Sequence, residues 1–159
     1  MTKPNKQTLK IYLASDHAAY EMKEEVKKHL LALHYQVADM GTHSLESANW
    51  AEFGAKAAEE VSKDPENSRG IIICGSGIGM SIVSNKFKNV RAALCNDVYA
   101  AEMSRKHNNA NVLNFGARVV DKETGLNIVD IWLETEFEGG RHQLRLDYLH
   151  EVVEKNNFK

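Results

Sequence analysis

A chain of 159 residues with 43% hydrophobic and 26% charged residues has the composition of one globular domain. Its formal net charge of −2 at pH 7 offers no basic field for nucleic acid, and no apolar run approaches the ~20 residues of a membrane span. The two cysteines, Cys74 and Cys95, without a recognisable secretory leader, predict a reducing, cytoplasmic compartment.

The first part of the chain predicts a tail, a strand and a helix. Residues 1–9 are polar and lysine-bearing, which predicts a disordered tail. A short apolar run at residues 11–14 predicts the first strand. Apolar residues at steps of three and four then predict a helix that buries Ala19, Met22, Val26, Leu30 and Leu33. The charged residues between them predict a solvated opposite face, made of Glu21, Lys23, Glu24, Glu25, Lys27 and Lys28.

Strand and helix patterns continue to alternate along the chain. Further strands are predicted at residues 35–40, at the isoleucine run that ends at residue 74, and at residues 90–95 and 111–115. Helices are predicted from residue 50, from about residue 78, over 98–107, over 122–137 with Leu126, Val129 and Leu133 inward, and from 141 to about 153. Short apolar strands, each followed by a helix, predict an α/β fold with a parallel sheet covered on both faces. Ligands in such folds bind at the carboxyl ends of strands.

The isoleucine strand ends in a cysteine that opens a glycine-rich turn, Cys74-Gly75-Ser76-Gly77-Ile78-Gly79. A strand, a glycine turn and a helix together aim backbone N–H groups at an anion. A cysteine beside a helix N-terminus is favoured as a thiolate, because the helix dipole stabilises negative charge. The turn therefore combines a candidate base or nucleophile with an oxyanion hole. A small buried hydrophobe is the alternative interpretation of Cys74 taken alone.

The residues of this turn exclude four commoner interpretations of it. A dinucleotide fingerprint would need a third glycine where the chain has Met80, which disfavours a nucleotide-binding oxidoreductase. A cysteine phosphatase would need an arginine at the same position. A redox pair would need a second cysteine at Gly77, and a P-loop would end in Gly-Lys-Ser/Thr.

Two polar pairs lie at the ends of predicted helices. Asp16 follows the first strand and could simply cap the next helix, while His17 beside it could bind a phosphate or move a proton. His107 and Asn108 close the fourth helix, where both residue types are common for structural reasons. Each pair is therefore a candidate part of the site, and each pair also has a purely structural explanation.

Three arginines are candidate anion ligands. Arg118 follows the fifth strand and could equally be a surface residue. Arg141 and Arg145 are four apart and share one helix face. Arg141 also lies in the first helical turn, where a cation is disfavoured unless an anion binds there. Cys95 lacks a glycine turn and is interpreted as a core thiol, and no cluster has convincing metal-ligand spacing.

Taken in chain order, these motifs resemble the type B ribose-5-phosphate isomerases, a family that includes galactose-6-phosphate and allose-6-phosphate isomerases. The resemblance runs from about residue 10 to residue 145. It is carried by Ser15-Asp16-His17-Ala18, Cys74-Gly75-Ser76-Gly77-Ile78-Gly79, Asn85-Lys86, Arg91-Ala92, Arg105-Lys106-His107-Asn108, Asn111-Val112-Leu113, Phe115-Gly116-Ala117-Arg118 and Gly140-Arg141-His142-Gln143-Leu144-Arg145.

The resemblance implies one isomerase domain over residues 10–159, with a Rossmann-like three-layer sandwich, a five-stranded parallel sheet and a C-terminal helix. It implies a homodimer whose active site is shared across the interface, and leaves pairing of dimers into tetramers open. It also implies the interconversion of ribose 5-phosphate and ribulose 5-phosphate, a step of the pentose phosphate pathway, without a metal or organic cofactor.

The resemblance further implies a role for each candidate residue. Cys74 would be the base that moves a proton between C1 and C2, assisted by Ser76, and His107 would open the sugar ring. Asn108 would contact the enediolate, and the phosphate would be bound by Arg118, Arg141 and Arg145. Asp16, as a further catalytic residue, and His17, as a substrate ligand, would lie near the ring oxygen and the phosphate. The turn chemistry itself predicts that the N–H groups of Gly75, Gly77 and Gly79 stabilise the enediolate. Which of Asp16, His17 and His107 opens the ring stays open.

One segment departs from the family pattern. Many members have Asp-Tyr-Pro before the second helix, whereas this chain has Asn49-Trp50-Ala51. Trp50 keeps an aromatic wall, but its indole N–H can only donate a hydrogen bond. The reaction type is unaffected, and a tetrose, pentose or hexose phosphate stays possible as the sugar. A non-catalytic sugar-phosphate binding paralogue is the alternative from another class of function.

Overall fold

Five parallel strands form the centre of the protein in a computed structural model that describes residues 8–158. The strands are β1 (Lys10–Ser15), β2 (Gln36–Asp39), β3 (Ser68–Cys74), β4 (Ala92–Leu94) and β5 (Val112–Gly116). They are ordered β2-β1-β3-β5-β4, and every neighbouring pair is parallel. The predicted α/β fold with a five-stranded parallel sheet is confirmed. The chain leaves β1 and β3 towards opposite sides of the sheet, which opens a crevice at their carboxyl ends.

Helices cover both faces of this sheet. They are α1 (Tyr20–Ala32), α2 (Trp50–Lys63), α3 (Ile78–Ser84), α4 (Val98–Asn108), α5 (Lys122–Glu134), α6 (Arg141–Tyr148) and α7 (Lys155–Asn157), with a 3-10 turn at His17–Ala19 and a π-helical segment at Leu149–Glu154. Within residues 8–158, none of these helices combines the length and the apolarity that a membrane crossing requires.

Side chains of β1 and β3 alternate between two cores, as the two-residue period of a strand requires. Ile11, Leu13, Ile71 and Ile73 face the core shared with α1, α4 and α5. Tyr12, Ala14, Ile72 and Cys74 face the core shared with α2 and α3. The candidate base therefore lies on the α2–α3 side of the sheet.

Two predictions about the first part of the chain need correction. Lys23 was expected on a solvated helix face, but its side chain is 0% exposed. Its Nζ donates to Asp39 Oδ2 and Glu24 Oε1, both at 2.7 Å, and these carboxylates stabilise an ammonium that would otherwise be costly to bury. The predicted tail lies outside the described residues up to residue 7, while Leu9 is only 4% exposed and packs in the core.

The last two predicted helices are shorter than expected. Helix α5 ends at Glu134 rather than at residue 137, because Thr135 adopts an extended backbone. It fully buries Trp132, which the expected inward face omitted. The helix predicted from residue 141 to about 153 gives way to the π-helical segment after Tyr148. There Glu154 accepts the Asn89 N–H at 3.1 Å and lies 2.7 Å from His150 Nδ1, which fastens the segment to the loop before β4.

Candidate active site

The end of β1 supplies the first candidate residues. Asp16 is buried, and its Oδ1 accepts the Ala19 N–H at 3.2 Å, so its interpretation as a helix cap is confirmed. His17 is partly buried, and its Nδ1 accepts the Ala48 N–H at 3.1 Å. The main chain therefore fixes both side chains beside the crevice between β1 and β3.

The glycine turn at the end of β3 holds the candidate base. Cys74 is 5% exposed, and its Sγ accepts the Gly77 N–H at 3.1 Å. Gly77 has φ 81, a left-handed conformation that favours glycine. Ser76 is exposed, and its Oγ accepts the Ile78 N–H at the start of α3. The Gly77 N–H is directed at the sulfur and is consequently not free for an oxyanion.

Arg118 and Trp50 flank the turn on its two sides. A Cβ added to Gly75 would lie 3.4 Å from Arg118 Cδ, and one added to Gly79 would lie 3.0 Å from the Trp50 ring. The Arg118 N–H also donates to the Gly75 carbonyl at 3.0 Å. We call Asp16, His17, Cys74, Ser76 and Arg118 the carboxyl-edge cluster, since all follow the carboxyl ends of β1, β3 and β5.

A second group of candidates gathers where α4 ends and α6 begins. The His107 ring stacks on the His142 ring with centroids 4.3 Å apart and an interplanar angle of 11°. Arg145 Nη1 lies 3.3 Å from His142 Nδ1, and Arg141 Nε lies 3.4 Å from His142 Nε2. Both arginines are exposed, as is Asn108. We call His107, Asn108, Arg141 and Arg145 the amino-edge cluster.

His142 is the residue of this region to which sequence reasoning gave no role. It is 4% exposed, and its pKa is lowered, first by burial and then by the positive charge of His107, Arg141 and Arg145. A lowered pKa keeps the ring neutral near pH 7. The signal that could have found His142 in the sequence is its position between Arg141 and Arg145 on one predicted helix.

His107, Glu138 and His142 bring possible metal-ligating atoms within 4.8 Å of one another. The two imidazole rings are nearly parallel, so their lone pairs run side by side instead of converging on a tetrahedral ion. Two guanidinium groups within 3.4 Å of His142 would also repel a dication. These three side chains therefore fit a metal ion poorly.

The two clusters lie at opposite edges of the sheet. Helix α4 begins at the carboxyl edge, where Asn96 Oδ1 accepts the Gly116 N–H at 2.8 Å. It ends at the amino edge, where the Asn109 carbonyl accepts from Arg91 Nε ahead of β4. Its 11 residues correspond to a length of about 16 Å. The structure thus brings each cluster together but does not join Cys74 to His107 within one protomer.

Comparisons with known proteins agree with this architecture. The Ribose/Galactose Isomerase family model matches residues 11–149. Ribose-5-phosphate isomerase B of Escherichia coli K12 is 40% identical over 148 residues, which cover 93% of this chain and 99% of that protein.

Solved structures are similar over the whole fold. Ribose-5-phosphate isomerase B from Clostridium thermocellum is 47% identical with a TM-score of 0.88, covering 94% of this chain and 100% of that one. The enzyme from Mycoplasma genitalium with bound ribulose-5-phosphate is 35% identical with a TM-score of 0.90, covering 92% and 97%. A family model that spans most of the chain, together with relatives at these identities, means that the chain belongs to the ribose/galactose isomerase family.

Proposed function

We propose that the protein interconverts ribose 5-phosphate and ribulose 5-phosphate through an enediolate, with Cys74 as the base. The observation that carries the proposal is the buried Cys74 Sγ with the Gly77 N–H pointing at it. Relatives named ribose-5-phosphate isomerase B at 40–47% identity support the substrate. Another sugar phosphate, or a non-catalytic sugar-phosphate binding protein, is the alternative.

The proposed reaction moves one carbon-bound proton from C2 to C1 of the open-chain sugar and one hydroxyl proton from O2 to O1. The Cys74 thiolate removes the proton from C2 of the aldose, and the electron pair forms the C1–C2 double bond of the enediolate. The resulting thiol returns the proton to C1, while the O2 hydroxyl proton passes to O1 to give the ketose. Ser76 is exposed beside the turn, where its hydroxyl can assist that transfer. A base positioned in this way contributes about 10²–10⁴-fold to the rate.

The remaining roles fall to both clusters. His107 opens the furanose ring, and Asn108 contacts the enediolate. The N–H groups of Gly75 and Gly79 stabilise developing negative charge. Phosphate is bound by guanidinium forks, which match its oxygens, from Arg118, Arg141 and Arg145. This assignment needs neither a metal nor an organic cofactor.

We infer that a second copy of the chain completes each site, because the two clusters lie at opposite edges of the sheet. Exposed apolar side chains around the carboxyl edge offer a surface for that copy, namely Ile78, Ile82, Leu94, Tyr99 and Val119. Helix α6, which carries two arginines of the amino-edge cluster, exposes Leu144 at 71% and Tyr148 at 63%. A two-fold dimer that buries both surfaces would set each amino-edge cluster over the partner's carboxyl edge.

The compartment proposed for the enzyme is the cytoplasm. Both cysteines are free, and a thiolate base requires an environment that keeps it reduced.

A turnover assay tests the reaction. Purified protein is offered ribose 5-phosphate, allose 6-phosphate, galactose 6-phosphate and a four-carbon ketose phosphate, and Cys74→Ala is compared with Cys95→Ala. Cys95 is a matched control, because its thiol is 1% exposed and burial raises its pKa to about 11. We expect turnover of ribose 5-phosphate that only Cys74→Ala abolishes. Turnover of only another sugar phosphate would mean that the protein is an isomerase for that sugar phosphate. Binding without turnover would favour the non-catalytic alternative.

Mixed dimers test the shared site. Cys74→Ala and His107→Asn chains are each expected to be inactive. In a mixed dimer one site carries both substitutions and the other carries neither, so co-expression should restore about a quarter of wild-type activity. No recovery in verified mixed dimers would mean that Cys74 and His107 act within one chain or not at all.

A further inference from the structure

His17 has a defined proton arrangement that follows from its partner. The Ala48 N–H lies 3.1 Å from His17 Nδ1, and a backbone N–H can only donate. The nitrogen that accepts this bond carries no proton. In the neutral ring the single proton must therefore be on Nε2, which is the nitrogen left to meet a ligand.

The backbone that delivers the Ala48 N–H is held at both ends. At its start, the Ser15 N–H donates to the Gly41 carbonyl at 2.7 Å, and the Thr42 N–H donates back to the Ser15 carbonyl at 2.8 Å. At its end, Asn49 Oδ1 caps α2 by accepting the Ala51 N–H at 3.0 Å.

The start of this loop is also anchored to a buried ion pair. The Gly41 N–H donates to Asp39 Oδ1 at 3.0 Å, and Asp39 Oδ2 accepts from the fully buried Lys23. The loop over residues 41–49 is therefore fixed relative to β1, which carries His17 at its end.

We propose that His17 is a hydrogen-bond donor through Nε2–H in the sugar-phosphate site, and that the main chain at Ala48 is the element that sets this tautomer. The inference rests on the proposed function for the identity of the ligand, an oxygen of the sugar or of its phosphate. Taking up a second proton at Nδ1 would break the bond to Ala48.

This arrangement removes His17 from the candidates for ring opening. A base that accepts the hydroxyl proton of the sugar needs a free lone pair, and Nε2 has none. A neutral imidazole N–H is also too weak an acid to give its proton away. His17 binds an oxygen without moving a proton, which leaves His107 and Asp16 for the proton transfers, and one Asp16 oxygen already caps the turn.

Nitrogen NMR of protein labelled with ¹⁵N at its seven histidines tests the tautomer directly and without turnover. The signals of His17 are assigned by their loss in His17→Asn. We expect a protonated Nε2 and an unprotonated Nδ1 at neutral pH. A proton on Nδ1, or a cationic ring, would overturn the proposal. The proposed isomerase activity can fail in the turnover assay while this result still stands.

Substitutions at the loop test its role as the positioning element. Ala48→Pro removes the N–H donor, whereas Ala48→Gly keeps it. We expect the proline variant alone to lose the single tautomer and to raise KM about tenfold, the size of one hydrogen bond. Thermal unfolding checks that Ala48→Pro is folded. An unchanged tautomer in the folded proline variant would overturn the role of the loop.

Substitutions of His17 itself separate donation from proton transfer. Glutamine can place an amide N–H near the Nε2 position, whereas glutamate of the same length can only accept when ionised. His17→Gln should keep a KM within a few-fold of wild type, and His17→Glu should raise it at least tenfold. Equal losses in both variants would contradict donation by Nε2–H.

Discussion

The carboxyl-edge and amino-edge clusters are built in different ways. At the carboxyl edge the main chain positions the side chains, since the Gly77 N–H points at Cys74 and the Ala48 N–H points at His17. At the amino edge side chains position one another, with His107 stacked on His142 and Arg145 beside the same ring. In the first cluster Asp16 and Cys74 are buried while Ser76 and Arg118 are exposed, and in the second both arginines are exposed.

This difference suits the roles proposed for the two clusters. A base that must reach a carbon-bound proton needs tight placement, and backbone bonds at strand ends supply it. Cationic anchors for a phosphate act over longer distances and tolerate exposure. Backbone changes should therefore damage the carboxyl edge most, and side-chain changes should act more mildly at the amino edge.

The largest expected effect comes from glycines with positive φ near each cluster. A Cβ at Gly77 would overlap Leu94 Cδ1 and lie 2.8 Å from the Phe115 carbonyl carbon, whereas one at Gly139 would meet nothing within 4 Å. Both alanine variants carry a backbone strain of about 1–2 kcal/mol. Only Gly77→Ala should also displace the donor to Cys74 and lower kcat/KM by about 100-fold. Similar losses of kcat/KM in the two variants would mean that the two edges are equally sensitive to backbone changes, which contradicts the comparison.

A smaller effect, on the free energy of unfolding, is expected from the Lys23–Asp39 ion pair that anchors the loop over residues 41–49. Burial opposes ionisation of Asp39, but hydrogen bonds from Lys23, Lys27 and the Gly41 N–H outweigh it and lower its pKa from 3.8. The unfolded chain therefore takes up this proton at a higher pH than the folded chain does. The stabilisation is complete above about pH 4–5 and is lost as the pH falls through the lowered pKa.

Asp39→Asn should lower the unfolding free energy by about 2 kcal/mol near pH 7, because Lys23 keeps only Glu24 as a carboxylate partner. Denaturant titrations from pH 7 to pH 3 measure the difference, which should shrink towards the acid end. Lys63→Met, which removes an exposed ion pair with Glu60, is the control with little expected change. A difference that is constant with pH would exclude the charge of Asp39 as its cause.

At the amino edge we expect an effect on binding. Arg145→Leu should raise KM for the sugar phosphate about tenfold with a small change in kcat, since a charge-assisted bond to phosphate is lost. Arg145→Lys should recover part of the affinity. Gln143→Leu on the same helix loses only an exposed bond to Asp147 and serves as control. A fall in kcat without a rise in KM would assign Arg145 to the chemistry instead.

The smallest effect is expected for the sugar preference. The Trp50 ring packs over Gly79 at the mouth of the carboxyl edge, so Trp50→Tyr exchanges an indole N–H for a phenol that can also accept. The ranking of sugar phosphates by kcat/KM should shift by a few-fold, about the contribution of one exposed hydrogen bond. Trp50→Phe provides the ring without a polar group. An unchanged ranking across the panel would remove Trp50 from specificity.

Local sequence signals predicted the parts of the fold that depend on neighbouring residues. The isoleucine run, the glycine turn and the start of α3 at Ile78 agree with the structure, as does the cap at Asp16. These features follow from strand alternation, turn chemistry and capping, which act over a few residues.

Contacts between distant segments escaped prediction. Nothing near Lys23 indicates that Asp39 will bury it, and nothing near His17 indicates that Ala48 will set its proton. The stacking of His107 on His142 likewise depends on how the chain after α5 places α6 beside the end of α4. Each contact joins residues from separate elements, so their relative placement decides it.

The sequence by itself determined the α/β class and the candidate base in its glycine turn, because residue type and spacing carry that information. It offered the other site residues as candidates but did not divide them into two clusters. Only the tertiary structure decided the exchange of β4 and β5 in the sheet order and the separation of the clusters at opposite edges. The physical reason is that a helix which follows a parallel strand must run back across the sheet. His107 is thereby carried away from Cys74 by the length of α4.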